Sequence, residues 1–428
     1  MHRYDVCMRR ARWIEEWDPE NTLFWNSRGK SVARRNLIWS ILAENLGFSV
    51  WLVWSVTAPQ LSRAGFHYTT SQLFTLVSLP GLVGALMRFP YTFAVARFGG
   101  RNWTIVSALL LFVPTTLLAV LVRHPQTPFA LMALAAATAG LGGGNFASSM
   151  ANISYFYPDR AKGFALGLNA AGGNIGVSTV QLLVPLVIGA ASIAWAGLMW
   201  MPPILIAAAA AFLFMDNLAT ARSNFKEQIT VAKRGHTWIL SFLYIGTFGS
   251  FVGYSAAFPL LLKTQFPTVS IKLAFLGPLV GSIARPIGGW LADRRGGARV
   301  TFLNFTAMAG ATAGLIGFLA QKSFGGFLAM FLVLFVTTGI GNGSTFKMVP
   351  VIFRVGRESA AVLGISSAVG ALGGFFIPRI LGASIAATGG IAAALLGFLG
   401  CYLVCLGVTW WCYLRPVDEI LELTPEAE

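Results

Sequence analysis

Twelve separate stretches of apolar residues, each long enough to cross a lipid bilayer, constrain the fold of this chain more than any other feature. A membrane-spanning helix needs roughly 20 consecutive, mostly apolar residues. Helices suit lipid because they satisfy their backbone hydrogen bonds internally. The sequence therefore predicts an all-α membrane protein with twelve transmembrane helices, at about residues 36–58, 72–96, 103–123, 128–156, 163–185, 190–215, 237–261, 271–292, 300–320, 325–350, 359–383 and 387–412.

The scarcity of charge excludes a soluble globular protein. Charged residues make up 11% of the chain and hydrophobic residues 56%, with a mean hydropathy of +0.68, whereas soluble domains carry about 25% charged residues. The net charge of +15 does not indicate nucleic-acid binding, because the basic residues concentrate in the first 35 residues, the central polar stretch and alternate loops. Basic loops mark the cytoplasmic side. We expect both termini in the cytoplasm and the protein in the cytoplasmic (inner) membrane.

The chain repeats itself at a constant offset, the one that separates Arg88 from Arg285. The same offset matches Leu82-Val83-Gly84 to Leu279-Val280-Gly281, and Gly142, Gly144 and Asn145 to Gly339, Gly341 and Asn342. Six helices per repeat give both halves the same orientation, which is the architecture of the major facilitator superfamily, with substrate held between the halves.

The predicted organisation has five parts. A cytoplasmic tail covers residues 1–35, and a six-helix bundle covers 36–215. A cytoplasmic linker at 216–236 leads to a second six-helix bundle at 237–412, and a short cytoplasmic tail ends the chain at 413–428. Trp13 and Trp17 are spaced as on one helix face, so the first tail is expected either as a short helix on the membrane surface or as a solvated segment.

Arg88 and Arg285 lie deep inside predicted helices. Each precedes a basic turn, at Arg97 and Arg294, by nine residues, which is about 13 Å at 1.5 Å per residue. An arginine within the membrane costs at least about 2.5–3.5 kcal/mol and stays charged. The repeat places both at one depth, so two inward-facing cations would converge between the halves.

The acidic residues do not balance these two cations. Glu44 is the one acid deep in a predicted span, and the others lie in tails, the linker or boundary turns. The deficit predicts a site for a mobile anion. The alternative is that both arginines reach interfacial water or bond to backbone carbonyls.

The anion is expected to be small. Glycines that permit close helix approach crowd the fourth, fifth, tenth and eleventh spans, for example at Gly142, Gly173, Gly341 and Gly370. A guanidinium group also presents two parallel donors that suit a planar oxyanion. Glycine is common in membrane helices, so its abundance is weak evidence by itself.

Two long segments resemble the signature motifs of the nitrate/nitrite porter family, and they are most similar to the NarK-like transporters. They are Gly142-Gly-Gly-Asn-Phe-Ala-Ser-Ser-Met-Ala-Asn-Ile-Ser154 and Gly339-Ile-Gly-Asn-Gly-Ser-Thr-Phe-Lys-Met-Val-Pro-Val-Ile-Phe353. The resemblance implies that Arg88 and Arg285 bind the anion and that Tyr244 donates a hydrogen bond to it. It also implies that Phe146 and Phe248 sandwich the anion plane. Three asparagines complete the expected set of substrate-binding residues: Asn145, Asn174 and Asn342.

The superfamily loop motif is complete only in the second half, where Gly289-Trp-Leu-Ala-Asp-Arg-Arg-Gly-Gly297 supplies Asp293 and Arg294 as candidate gating residues. The position that matches Asp293 in the first half is Ala96. Lys347, near the cytoplasmic end of the tenth span, is expected to extend to water.

These observations predict a secondary transporter that moves nitrate and nitrite by alternating access, with nitrate entering in exchange for nitrite. One alternative is nitrate–proton symport, in which Glu44 pairs with an arginine and takes up a proton when nitrate binds. Others are a carrier of another small oxyanion such as formate, and a membrane anion sensor. The spans hold no nucleophile or metal-ligand pattern, so we expect no enzyme activity, no cofactor and no metal, and a functional monomer.

Overall fold

The computed structural model describes residues 12–221, 230–353 and 356–415, and the side chains of 356–360 are outside the description. The basic start of the N-terminal tail (1–11), part of the linker (222–229) and the C-terminal tail from residue 416 lie outside the described residues. The tail predictions for those segments concern residues outside this description.

In the described part of the chain, twelve helices are long and apolar enough to cross a membrane: eleven are continuous, and the twelfth is a pair bent by 41° and taken as one span. The prediction of an all-α membrane protein with twelve spans is confirmed. In chain order they are α1 (Thr22–Trp51 and, after the bend, Val53–Ala64), α2 (Thr70–Phe98), α3 (Gly100–Leu121), α4 (Phe129–Phe156), α5 (Asp159–Ala190), α6 (Trp195–Phe214), α7 (Gly235–Gln265), α8 (Ile271–Arg295), α9 (Gly297–Ala320), α10 (Phe324–Ile352), α11 (Ala361–Thr388) and α12 (Ala392–Tyr413).

Several helices extend beyond their predicted apolar spans because polar end turns remain helical outside the hydrocarbon. The largest difference is in α1, which begins at Thr22, within the stretch predicted as a tail. The Asn21 side chain caps this helix by accepting from the backbone N–H groups of Leu23 and Phe24. α2 begins with a capping box between Thr69 and Gln72. Such caps satisfy the free donors of a helix start.

The two halves pack backbone to backbone on the side opposite the termini. A Cβ at Gly81 of α2 would lie 2.3 Å from the carbonyl carbon of Gly374 of α11. Lys263 of α7 donates to the Pro59 carbonyl at 2.5 Å. These contacts hold α2 against α11 and α1 against α7.

The segment before α1 forms a strap on the side of the termini, defined here as residues 12–21. Within it, β1 (Trp13–Ile14) pairs in parallel with β2 (Asn217–Leu218), which directly follows α6. Trp17 is buried against Phe156 at 5.4 Å between ring centroids. The expectation of a short surface helix or a solvated segment is therefore wrong for this part of the tail. A two-residue strand and a buried indole replace it.

Candidate functional site

Arg88 is completely buried at mid-depth, where it contacts both halves. Its Nε donates to the Gly143 carbonyl of α4 at 3.2 Å, and its Nη1 donates to the Ser367 carbonyl of α11 at 2.7 Å. α11 is interrupted at Leu372, whose N–H bonds to Val369 rather than to the carbonyl four residues back. The guanidinium therefore bridges the halves through main-chain carbonyls, and its Nη2 has no hydrogen-bond partner.

Arg285 occupies the matching place in the second half and is 4% exposed. Its Nη2 donates to the Tyr244 hydroxyl of α7 at 3.3 Å, and its Nη1 has no partner. The alternative that both arginines reach interfacial water does not hold, because both groups are buried. The alternative that the arginines bond to backbone carbonyls applies to Arg88 only, and its Nη2 still has no hydrogen-bond partner.

Aromatic rings bring the two guanidinium groups together. The Phe146 ring lies 4.5 Å from the Arg88 guanidinium carbon and 5.7 Å from that of Arg285. Phe248 stacks on Phe146 at 5.9 Å and on Tyr244 at 5.2 Å. A ring face attracts a cation, so these rings stabilise the charges without neutralising them.

A π-helical turn carries Phe248, one of these aromatic rings. α7 changes to π geometry over Ile245–Gly249, directly after Tyr244, and this turn contains Phe248. Single π turns within α-helices are frequent at functional sites. Tyr244 and Phe248 are four residues apart and so share a face of α7, with their rings 11° from parallel.

Unpaired buried donors define what the site can bind. In the described residues, neither Arg88 nor Arg285 has a carboxylate within 4.0 Å, and each keeps one unpartnered nitrogen. An unsatisfied buried N–H group carries a desolvation penalty of about 1–3 kcal/mol, and more when the group is charged. Two cationic donors beside aromatic rings therefore have the chemistry to hold a small anion with acceptor oxygens.

The three asparagines lie in different surroundings. Asn174, Asn145 and Asn342 are buried with both amide atoms unpaired. Asn174 is two helical turns before Gln181, whose amide donates to the Ser255 carbonyl of the other half at 2.7 Å, so Asn174 shares the face of α5 that meets the second half. Asn145 instead lines a small polar cavity with Glu44, Thr104 and Ser107.

Glu44 lies beside the arginines without pairing with either. Its carboxylate accepts from the Ser149 hydroxyl at 2.5 Å and from the Asn169 amide at 2.7 Å, and its Oε1 has no partner. It interacts electrostatically with Arg285 and Arg88, but in the described residues it forms no ion pair. The expected Glu44–arginine pair is thus absent from this structure, and a hydroxyl and an amide take its place.

Of the two candidate gating residues, Asp293 contacts a neighbouring helix and Arg294 contacts a ring on its own helix. Asp293 of α8 pairs with Lys347 of α10 at 2.8 Å. The Lys347 side chain is 36% exposed, as expected of a residue that extends to water, and Asp293 is a partner that the sequence did not predict. The Arg294 guanidinium lies 4.1 Å from the Trp290 ring. At the repeat offset, Asp293 corresponds to Ala96 and Lys347 to Met150. The first half therefore lacks both partners of this pair.

Four residues at the site were not selected from the sequence. Ser149 and Asn169 hold Glu44, and the Trp51 ring lies 5.4 Å from the Arg88 guanidinium. Phe346 contacts Tyr244 at 4.8 Å and Arg285 at 5.3 Å. Ser149 and Phe346 lie within the two signature segments, and this position in the sequence could have identified them as site residues. In the described ranges, no group of three His, Cys, Asp or Glu side chains is arranged to hold a metal ion.

Comparison with known proteins places this geometry in a family. Residues 45–378 match the family model described as Major Facilitator Superfamily. The chain is 43% identical to "Nitrate/nitrite transporter NarU" of Escherichia coli (strain K12), over 94% of this chain and 96% of the relative. It is 36% identical to "Probable nitrate/nitrite antiporter NarK2" of Thermus thermophilus, over 96% and 98%.

Among solved structures, the fold resembles a bacterial homolog to the human lysosomal transporter Spinster in an inward-facing and occupied conformation. The TM-score is 0.68 at 14% identity, with 90% of this chain and 97% of that chain covered. This likeness supports the fold alone. Together with the sequence matches, it shows that the chain is an integral multi-pass membrane protein that belongs to the major facilitator superfamily and, within it, to the nitrate/nitrite porter family.

Proposed function

We propose that this protein carries nitrate and nitrite across the cytoplasmic membrane by alternating access, as a monomer with both termini in the cytoplasm. The relatives named above are described as transporters, which supports transport rather than catalysis as the function of this protein. The anion would bind between Arg88 and Arg285, with Tyr244 as a further donor and with Phe146 and Phe248 against its plane. Asn174, on the face of α5 toward the second half, would lie beside it.

The observation that carries this proposal is the pair of unpartnered arginine nitrogens, Arg88 Nη2 and Arg285 Nη1, which share the Phe146 ring. A planar oxyanion with one negative charge offers acceptor oxygens to both nitrogens. Aromatic faces on either side of a flat anion exclude water and favour a thin molecule over a tetrahedral one. Nitrate and nitrite have this shape and this charge.

Exchange follows from the charge of the site. Without an anion, two like charges face each other in a dry environment, which disfavours the closed intermediate that the rocking halves must pass through. A bound anion reduces this repulsion in both directions of transport. Nitrate entry coupled to nitrite exit moves no net charge and so avoids about 2.3 kcal/mol per charge per 100 mV.

The test is labelled-nitrate uptake into proteoliposomes loaded with nitrite, with nitrate or with buffer alone, at equal pH on both sides. We expect uptake at least about tenfold faster into vesicles that contain either anion, since the loaded carrier avoids the charge repulsion. Equal uptake into anion-free vesicles would contradict exchange. Saturable nitrate binding without any transport would favour a sensor, and equal competition by formate and nitrite would contradict nitrate/nitrite selectivity.

Glu44 supports a second cycle, nitrate–proton symport. It is 0% exposed, lacks an ion pair in the described residues and leaves Oε1 unbonded. Ionisable residues within membrane helices are commonly part of proton relays. Nitrate bound between the arginines would offset their positive charge, so the Glu44 carboxylate would no longer be stabilised by it. The carboxylate would then take up a proton.

The variant Glu44→Gln tests this cycle in vesicles that contain no exchangeable anion. An inward proton gradient should drive nitrate uptake by the unaltered protein, and Glu44→Gln should lose this uptake while it retains exchange. The matched control is Glu15→Gln, since Glu15 is exposed in the strap. Gradient-driven uptake that persists in Glu44→Gln would exclude Glu44 as the proton carrier.

A further inference from the structure

Phe346 differs from the other rings of the site in its exposure. Tyr244, Phe146 and Phe248 are at most 1% exposed, whereas Phe346 is only partly buried. Its ring nevertheless lies 4.8 Å from Tyr244, 6.5 Å from Phe146 and 5.3 Å from the Arg285 guanidinium. Phe346 is therefore a ring of the site that also borders the outside.

Phe346 lies nearer the side of the termini than Arg285 does. α8 and α10 both run toward that side, because each is an even-numbered span. Gly343 of α10 packs against Arg285, since a Cβ there would lie 2.4 Å from the Arg285 carbonyl oxygen. Phe346 is three residues further along α10, about 4.5 Å nearer the termini. It thus lies between Arg285 and the side of the termini.

The helical turn that carries Phe346 is fixed by an ion pair. Lys347, the next residue, bonds to Asp293 of α8 at 2.8 Å. α8 also carries Arg285, so the ion pair joins the turn that bears the ring to the helix that bears the cation. Movement of α10 relative to α8 would displace the ring and strain this pair together.

The first half has no counterpart to this arrangement. At the repeat offset, Phe346, Lys347 and Asp293 correspond to Ser149, Met150 and Ala96. Ser149 is small, and its hydroxyl donates to Glu44. At this position of the repeat, the second half therefore supplies a ring and the first half does not.

We propose that Phe346 is the residue that retains the anion on the side of the termini, and that the Asp293–Lys347 pair holds its ring in the closed position. This inference rests on the proposed function. The backbone packing of Gly81 on Gly374 holds the halves together toward the opposite side, so we infer that the anion leaves toward the termini and passes Phe346. Release requires the ring to swing away, and the dissociation rate of the anion is set by that movement.

The experiment measures nitrate dissociation from the detergent-solubilised full chain. Stopped-flow tryptophan fluorescence follows displacement of nitrate by excess nitrite, with Trp51 beside Arg88 as a reporter. Phe346→Ala should raise the dissociation rate about tenfold and the association rate less, as affinity changes within one site fall mainly on dissociation. Phe346→Leu keeps apolar bulk and should restore most of the slow release.

Lys347→Met reproduces the residue of the first half and should speed release by a smaller factor, about threefold, because it frees the turn but leaves the ring. The control is Phe376→Ala, the same change at a ring that is 51% exposed on α11. Where Phe346→Ala does not fold, Phe346→Leu and Lys347→Met carry the test, and wild-type release rates in both would overturn the proposal. A chain that shows no saturable nitrate signal at all would instead contradict the proposed function.

Discussion

Arg88 of the first half donates a 2.7 Å hydrogen bond to the backbone carbonyl of Ser367 in the second half. Arg285, its repeat partner, bonds to Tyr244 within its own half. The two arginines match in sequence position and differ in structural role. One bridges the halves, and the other is anchored in one half.

This difference leads to the first prediction. Arg88→Lys and Arg285→Lys should each weaken nitrate binding at least about tenfold, because lysine keeps the charge but loses the planar fork of donors. Arg88→Lys should in addition alter the rate of exchange, since it removes a bond between the halves. Binding and counterflow measured on the same preparations separate the two effects. Arg97→Lys, an exposed site on the same helix, is the control, and undiminished binding in both site variants would contradict planar recognition.

A second prediction concerns the closed side. Gly81→Ala would place a Cβ 2.3 Å from the carbonyl carbon of Gly374, and a backbone neighbour cannot move aside without shifting a helix. We expect a loss of about 1–3 kcal/mol of stability, as for other overpacked sites, and slower exchange. Thermal unfolding in detergent and counterflow provide the measurements.

Gly310→Ala is the matched control for Gly81→Ala. No atom lies within 4 Å of a Cβ at Gly310, and alanine is favoured over glycine within a helix. The control should unfold at or above the wild-type temperature. Equal melting of the two variants would show that the contact between α2 and α11 does not constrain the halves.

A third prediction concerns two glycine turns, of which one contacts Asn217 of β2. Gly99 and Gly296 end α2 and α8 with the same φ of 86°, a conformation that carries about 1–3 kcal/mol of strain for other residues. A Cβ at Gly99 would also lie 2.3 Å from the Asn217 Oδ1, whereas at Gly296 nothing lies within 4 Å. Gly99→Ala should therefore destabilise the protein more than Gly296→Ala.

Thermal unfolding of the Gly99→Ala and Gly296→Ala variants gives two melting temperatures. Their difference measures the effect of the contact between Gly99 and Asn217 of β2. The double variant Gly99→Ala, Asn217→Ala should recover part of the loss, because it removes the colliding amide. Absence of any recovery would indicate that the Asn217 side chain does not hold the turn between α2 and α3.

A fourth prediction concerns the ion pair beside Phe346. Its side chains are 36% and 56% exposed, and exposed ion pairs contribute about 0–1 kcal/mol. Asp293→Asn should therefore change thermal stability little while it alters the exchange rate, because it releases α10 from α8. The reversed pair, Asp293→Lys with Lys347→Asp, should restore exchange toward the wild-type rate. Failure of the reversed pair with intact nitrate binding would assign Asp293 a role other than pairing.

The amino-acid sequence by itself determined the class of this protein and the central charges of its site. Apolar length and charge placement are local properties, so the twelve spans follow from them, and the constant offset between Arg88 and Arg285 follows from comparing the two halves of the chain. The tertiary structure alone decided which atoms those charges contact. The carbonyls that hold Arg88, the partners of Glu44 and the pairing of Lys347 with Asp293 join residues far apart in the chain. Burial and hydrogen bonding depend on how helices pack against one another, and no local pattern in the sequence specifies that packing.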